Sequence, residues 1–180
     1  MTFLWHTVST KKMKEIIQQD NKILRQIAKD VPINAITSSK VQKEIEEMRE
    51  ALDSQSDGVA LAAPQIAISK RMFVVNPHVF TLVKVEGPQE TTFINPKIIF
   101  MSKDRKGMEE GCLSVRPLYG KVKRASRVTV EAYNDRGEKF TMEGTGLLAQ
   151  IFQHEIDHLD GILFIDKAKN VRELNIETNK

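Results

Sequence analysis

Apolar positions with helical spacing gather first between residues 40 and 53. Val41, Ile45, Met48 and Leu52 fall on one stripe, the pattern of an amphipathic helix. Lys43, Glu44, Glu46, Glu47 and Arg49 lie mostly off that stripe, and Ser39 with Gln42 fits a capping box at its start. Ahead of it, Met13, Ile16 and Ile17 stand at helical spacing behind Lys11, Lys12 and Lys14, which predicts a short basic surface helix within residues 1–20. After Gly58 the pattern shortens. Residues 72–75 read as a buried strand, and 79–85, 93–94 and 98–101 as further strands, with Gly87-Pro88 as a break. Residues 127–133 alternate, with Val128, Val130 and Ala132 on one side and Thr129 and Glu131 on the other. The turn 134–137 then leads to a returning strand at 140–142, a hairpin. A last helix begins near Gly146, passes through His158 and stops at Gly161. Helices towards both ends with strands between predict an α+β fold rather than a βαβ array.

Composition narrows the function classes. The chain has 180 residues, 41% hydrophobic and 28% charged, values of a globular protein able to bury its own core. No repeat or low-complexity run divides it. The expected organisation is a single domain over 1–180, with 1–19 as an N-terminal extension and 167–180 as a polar tail. One cysteine allows no intrachain disulfide and suits a reducing compartment. No stretch approaches the ~20 apolar residues of a membrane span, and the first residues lack the basic start of a secretory signal. A net charge of +3, with pI about 8.9, is too small and too scattered to point to nucleic acid.

Chemistry concentrates in His154-Glu155-Ile156-Asp157-His158. Residues four apart share one helix face, so both imidazoles can reach one metal ion, with Glu155 beside the first to handle the proton of a water. Leu147, Leu148, Ile151, Phe152, Ile156 and Leu159 would bury most of this helix, so two hydrogen-bonded structural histidines also fit the pattern. A catalytic site commonly has a third protein ligand and one open position. A further His six residues after His158 is absent, because Phe164 stands there. Glu173 and Glu177 lie in the polar tail. Cys112, in Glu110-Gly111-Cys112-Leu113-Ser114, offers a thiolate, although a lone cysteine can equally be a small buried hydrophobe or a nucleophile. A third segment, Gly58-Val59-Ala60-Leu61-Ala62-Ala63-Pro64-Gln65, combines close-approach residues with a polar exit.

Together and in this order, the three segments resemble the signature motifs of the peptide deformylase family. Gly58 to Gln65 matches the first motif except at Ala60, where the family has glycine. Glu110 to Ser114 matches the second and Gln153 to His158 the third. The similarity runs from about Asp20 to Asp166. The resemblance implies mixed or antiparallel sheets packed around a C-terminal metal-binding helix, with an N-terminal helix. It implies one divalent ion per chain held by Cys112, His154 and His158, with Fe²⁺ native and Ni²⁺, Co²⁺ or Zn²⁺ as substitutes. Glu155 would be the general base, and Gln65 with the Leu113 N–H an oxyanion hole. Val59, Ala60, Glu110, Leu147 and Ile151 would contact substrate, and Met108 and Gln150 fall near the same pocket. The implied reaction removes formate from N-formyl-methionyl nascent peptides in a bacterial or phage-infected cytoplasm, or in an organelle. The implied enzyme is a monomer with transient ribosome contact and no nucleic-acid specificity or membrane association. A related metallohydrolase with altered acyl or peptide preference is the alternative. At Ala60 two effects are open: backbone strain, if the position needs positive φ, or crowding of substrate by the methyl group.

Overall fold

The computed structural model describes residues 13–86 and 89–173. Among the described residues, eight strands and three α-helices follow the order α1 (Ser39–Asp53), β1 (Ala60–Ala62), β2 (Met72–Val75), α2 (His78–Leu82), β3 (Thr92–Met101), β4 (Arg105–Gly111), β5 (Leu118–Ala125), β6 (Arg127–Tyr133), β7 (Lys139–Thr145), α3 (Gly146–Leu159) and β8 (Lys169–Glu173). The fold is α+β. One sheet runs β1-β2-β3-β6-β7 and a smaller one β4-β5-β8, and every strand pair in both is antiparallel.

The larger sheet is covered on both faces. Ala60, Ala62, Phe73, Val75 and Phe93 point towards α3, where Ile151, Phe152, Ile156 and Leu159 meet them. Phe93 stacks on Phe73 with ring centroids 4.5 Å apart and meets Phe152 at 5.2 Å. The intervening residues Leu61, Met72, Val74 and Ile94 point the other way, onto Val41, Ile45, Met48 and Leu52 of α1. Alternate residues of a strand face opposite sides, so burial on both faces makes β2 apolar at every position. A third cluster holds the small sheet, where Val115 and Val122 pack on Leu24, Leu163 and Phe164. No described helix is long and apolar enough to cross a membrane.

Several expectations are met and several change. The α1 stripe is buried as read, but its N-cap is Ser38, whose hydroxyl accepts from Val41 N, rather than Ser39. The lead-in helix is not found over residues 13–18, which have no regular structure, and residues 1–12 lie outside the described ones. Ile17 N–H instead donates to Gln65 O at 2.9 Å and Gln18 Nε2 to Leu113 O at 3.1 Å, laying this segment against two of the signature motifs. The strand expected at 79–85 is the short helix α2, with Val79 and Phe80 buried. A brief apolar run fits either form. The strands expected at 93–94 and 98–101 are one strand, β3. Asn95-Pro96 is absorbed as a register shift between Ile94 and Lys97, with Asn95 at φ 50°. The tail expected from 167 onwards contains β8, paired with β5.

Candidate active site

Helix α3 carries His154 and His158 one turn apart, with ring centroids 4.9 Å from each other. Gln153 fastens this helix to the sheet end. Its Oε1 accepts from Ala125 N at 2.9 Å and its Nε2 donates to Ala125 O and Ala149 O. Cys112 follows the end of β4, with Sγ 3.2 Å from His158 Nε2. One donor atom each from Cys112, His154 and His158 lies within 4.8 Å of the others.

The surroundings fix this trio. The carboxylate of Glu110 lies 3.0 Å from His154 Nδ1, which orients the ring and leaves its other nitrogen for the cluster. Arg124 holds that carboxylate with two hydrogen bonds, Nε to Oε1 at 2.7 Å and Nη2 to Oε2 at 2.8 Å. Its Nη1 reaches Asp157 Oδ2 at 2.6 Å. Burial alone would raise the Glu110 carboxyl, but the Arg124 and His154 hydrogen bonds outweigh it and bring it down to about 2, so it is an anion at neutral pH. Burial, and then the charge of His154, hold His158 well below the ordinary histidine value, which leaves it neutral and able to ligate. Burial also opposes charge on His154, yet hydrogen bonds to Cys112 and Glu110 raise it well above that value. A metal ion taking this nitrogen would displace a proton.

Glu155 is 3% exposed, and burial pushes its carboxyl up to about 7. Its Oε2 is buried with no partner. Gln65 is anchored by Ala62 N–H, which donates to its Oε1 at 2.8 Å. Its Nε2 then points to Ser114 Oγ at 3.2 Å and Cys112 Sγ at 3.6 Å. Two imidazoles, one of them braced by a carboxylate, with a thiol and a buried carboxyl oxygen without a partner alongside, fit a divalent cation with a water beside it.

A cavity of about 260 Å³ opens onto this cluster. Of the residues expected at the site, Gln65, Cys112, Leu113, His154 and Glu155 line it, as do Val59, Ala60, Leu147 and Ile151. His158 sits behind them, 1% exposed. Glu110 also forms part of the wall, but both its carboxylate oxygens are taken by Arg124 and His154. Its carboxylate therefore braces His154, while the residue keeps its place in the cavity wall. Met108 is not in the wall. Gln150 is, with its amide donating to Glu109 O at 2.8 Å. Ala60 is in extended β1 and not among the residues with positive φ, so the strain alternative falls and its methyl group stands as part of the wall. Sequence reasoning missed Arg124 and Asp157, and also Asp57, Arg116 and Tyr119 in the wall. A charged residue at an inward position of a strand would have marked Arg124, had β5 been recognised.

A two-histidine, one-cysteine cluster beside a buried carboxyl with one unpartnered oxygen, its histidines on a helix packed against an antiparallel sheet, is the site of a metal-dependent hydrolase. Comparison with known proteins is specific. The polypeptide deformylase family model matches residues 13–173. The peptide deformylase of Desulfitobacterium hafniense is 44% identical over 156 residues, covering 86% of this chain and 94% of that protein. The crystal structure of the Thermotoga maritima peptide deformylase superposes with a TM-score of 0.76 at 36% identity, covering 88% of this chain and 99% of that one. The Acinetobacter baumannii enzyme with Met-Ala-Ser bound gives 0.75 at 34% identity, covering 84% and 96%. The chain belongs to the polypeptide deformylase family.

Proposed function

We propose that this protein is a peptide deformylase, hydrolysing the N-formyl group from formyl-methionyl peptides and releasing formate. The observation that carries the reading is the Cys112–His154–His158 cluster at the base of a cavity, with Glu155 and the Gln65 amide beside it. Cys112, His154 and His158 would hold one divalent ion, Fe²⁺ by preference and Ni²⁺, Co²⁺ or Zn²⁺ as substitutes. Such an ion supplies Lewis acidity, lowering the pKa of a water and polarising the formyl carbonyl.

The protein's own groups do the rest. Glu155 takes the proton of the attacking water and passes it to the leaving amine as the C–N bond breaks. A carboxyl near 7 can do both. Gln65 Nε2 and the Leu113 N–H donate to the charge developing on the formyl oxygen. Strand β1 is the edge of its sheet, and Val59 and Ala60 offer its backbone to the peptide as an added strand. Val59, Leu147 and Ile151 receive the methionine side chain. The reading extends to a monomer in the cytoplasm that meets nascent chains by transient ribosome contact.

The test compares formyl-Met-Ala-Ser with acetyl-Met-Ala-Ser on the metal-loaded protein. Formate release with little acetate release is expected. Preference for the acetyl peptide would make this a related hydrolase of different acyl specificity.

A further inference from the structure

Two charged residues in the cavity wall take no part in the chemistry above. Asp57 lies just before β1 and Arg116 four residues after Cys112. Arg116 Nη2 meets Asp57 Oδ1 at 2.5 Å. Each backbone is held independently. Gly58 N–H donates to Gln55 O, and Gly58 packs so closely on Leu52 that a Cβ there would sit 2.8 Å from Leu52 Cδ1. On the other side, Val115 N–H donates to Cys112 O and Leu118 N–H to Val115 O, fixing the turn that bears Arg116. The ion pair therefore joins two anchored loops across the cavity. Both side chains are about half exposed, 44% and 55%, so the pair adds little to stability. Of the other acidic side chains of the wall, Glu110 and Glu155 belong to the chemistry above, and Glu109 is already met by Arg172 at 3.2 Å.

We infer that the paired Asp57 and Arg116 keep the site indifferent to the charge of residues following the formyl-methionine, and that either one alone would impose a preference. The inference rests on the deformylase reading of the site. With the first residue against Leu147 and Ile151, the rest of the peptide must leave the cavity, and the half-exposed Asp57–Arg116 pair occupies its wall. Paired, the two charges cancel and the wall is tolerant. Remove one, and the other is left to attract an oppositely charged peptide side chain. Neither residue touches the metal-ligating trio, so the selection acts on binding and leaves the chemical step alone.

The test uses full-length metal-loaded protein, wild type, Asp57→Asn and Arg116→Gln. Affinities for C-terminally amidated Met-Ala-Ser, Met-Glu-Glu and Met-Lys-Lys are measured by calorimetry, and KM and kcat for their formylated forms by formate release. Asp57→Asn is expected to shift preference towards the Glu peptide, and Arg116→Gln towards the Lys peptide. Each shift should be roughly two- to fivefold, the range for one exposed charge interaction. The change should fall in KM, with kcat unmoved, and should vanish near 1 M salt. No shift in either variant, shifts of the same sign in both, or a change confined to kcat would overturn the inference. Opposite shifts in peptide affinity with no formate from any variant would uphold it and sink the deformylase reading instead. Formate release without opposite shifts would do the reverse.

Discussion

Glu110 contributes to the site without needing to touch a substrate. The residue is 4% exposed, and its carboxylate orients His154 and is itself gripped by Arg124. Replacing it by Gln keeps the shape and removes the charge. Metal affinity is then expected to fall about 10- to 100-fold, read by competition with a chromogenic chelator, and unchanged affinity would mean that the bracing is incidental. Ala60 gives a second test at this scale. Its backbone is extended, so Ala60→Gly relieves crowding rather than strain. A lower KM with kcat held is expected, and equal KM values would show that the methyl does not meet the peptide. That Cys112, His154 and His158 come together was legible in the sequence, because helical geometry pairs His154 with His158 and the family resemblance supplied Cys112. Arg124 and Asp157 were not, because β5 went unrecognised, and without that strand the inward position of Arg124 beside Val122 carries no signal.

At the scale of elements, legibility followed periodicity. Helices α1 and α3 and the β6–β7 hairpin carry clean 3.6- or two-residue patterns, and each is where its pattern puts it. The strand β4 reads Arg-Lys-Gly-Met-Glu-Glu-Gly and has only Glu110 fully buried, so its residues never alternate in hydrophobicity. Its place is set by pairing with β5. β1 is three residues long, and β8 is wholly exposed. α2 was misread because five apolar-rich residues fit either period. The end of α3 offers a stability test. Gly161 follows it at φ 75°, and a Cβ there would come within 2.7 Å of Arg25 O. Gly161→Ala should cost about 2 kcal/mol from the left-handed conformation and the clash, measured by urea unfolding. A loss under ~0.5 kcal/mol would show that the turn yields.

For the whole molecule, the site lies where its two sheets meet. The small sheet delivers Cys112 and Glu110, the large one delivers Gln65 beyond β1, and α3 spans both with its histidines. Ion pairs link these parts, buried from Glu110 through Arg124 to Asp157 and half-exposed where Lys167 meets Asp157 at 2.7 Å. Three apolar clusters pack without an ion, so the metal-free chain is expected to stay folded. An ion bridging Cys112 to α3 would add stability, because it binds the folded chain in preference to the unfolded one. Chelation should lower Tm and re-addition of Ni²⁺ should restore it, followed by circular dichroism. A Tm indifferent to metal would argue that the trio does not ligate.

The measurement that bears most directly on the account is formate release from formyl-Met-Ala-Ser, with bound metal quantified in the same anaerobic preparation, for wild type and Glu155→Ala. The account predicts one metal per chain in both. Wild type should turn over, and the variant should lose at least ~100-fold in kcat, the lower range for a positioned acid–base group. Full metal occupancy with no formate from wild type, or undiminished turnover by Glu155→Ala, would contradict it.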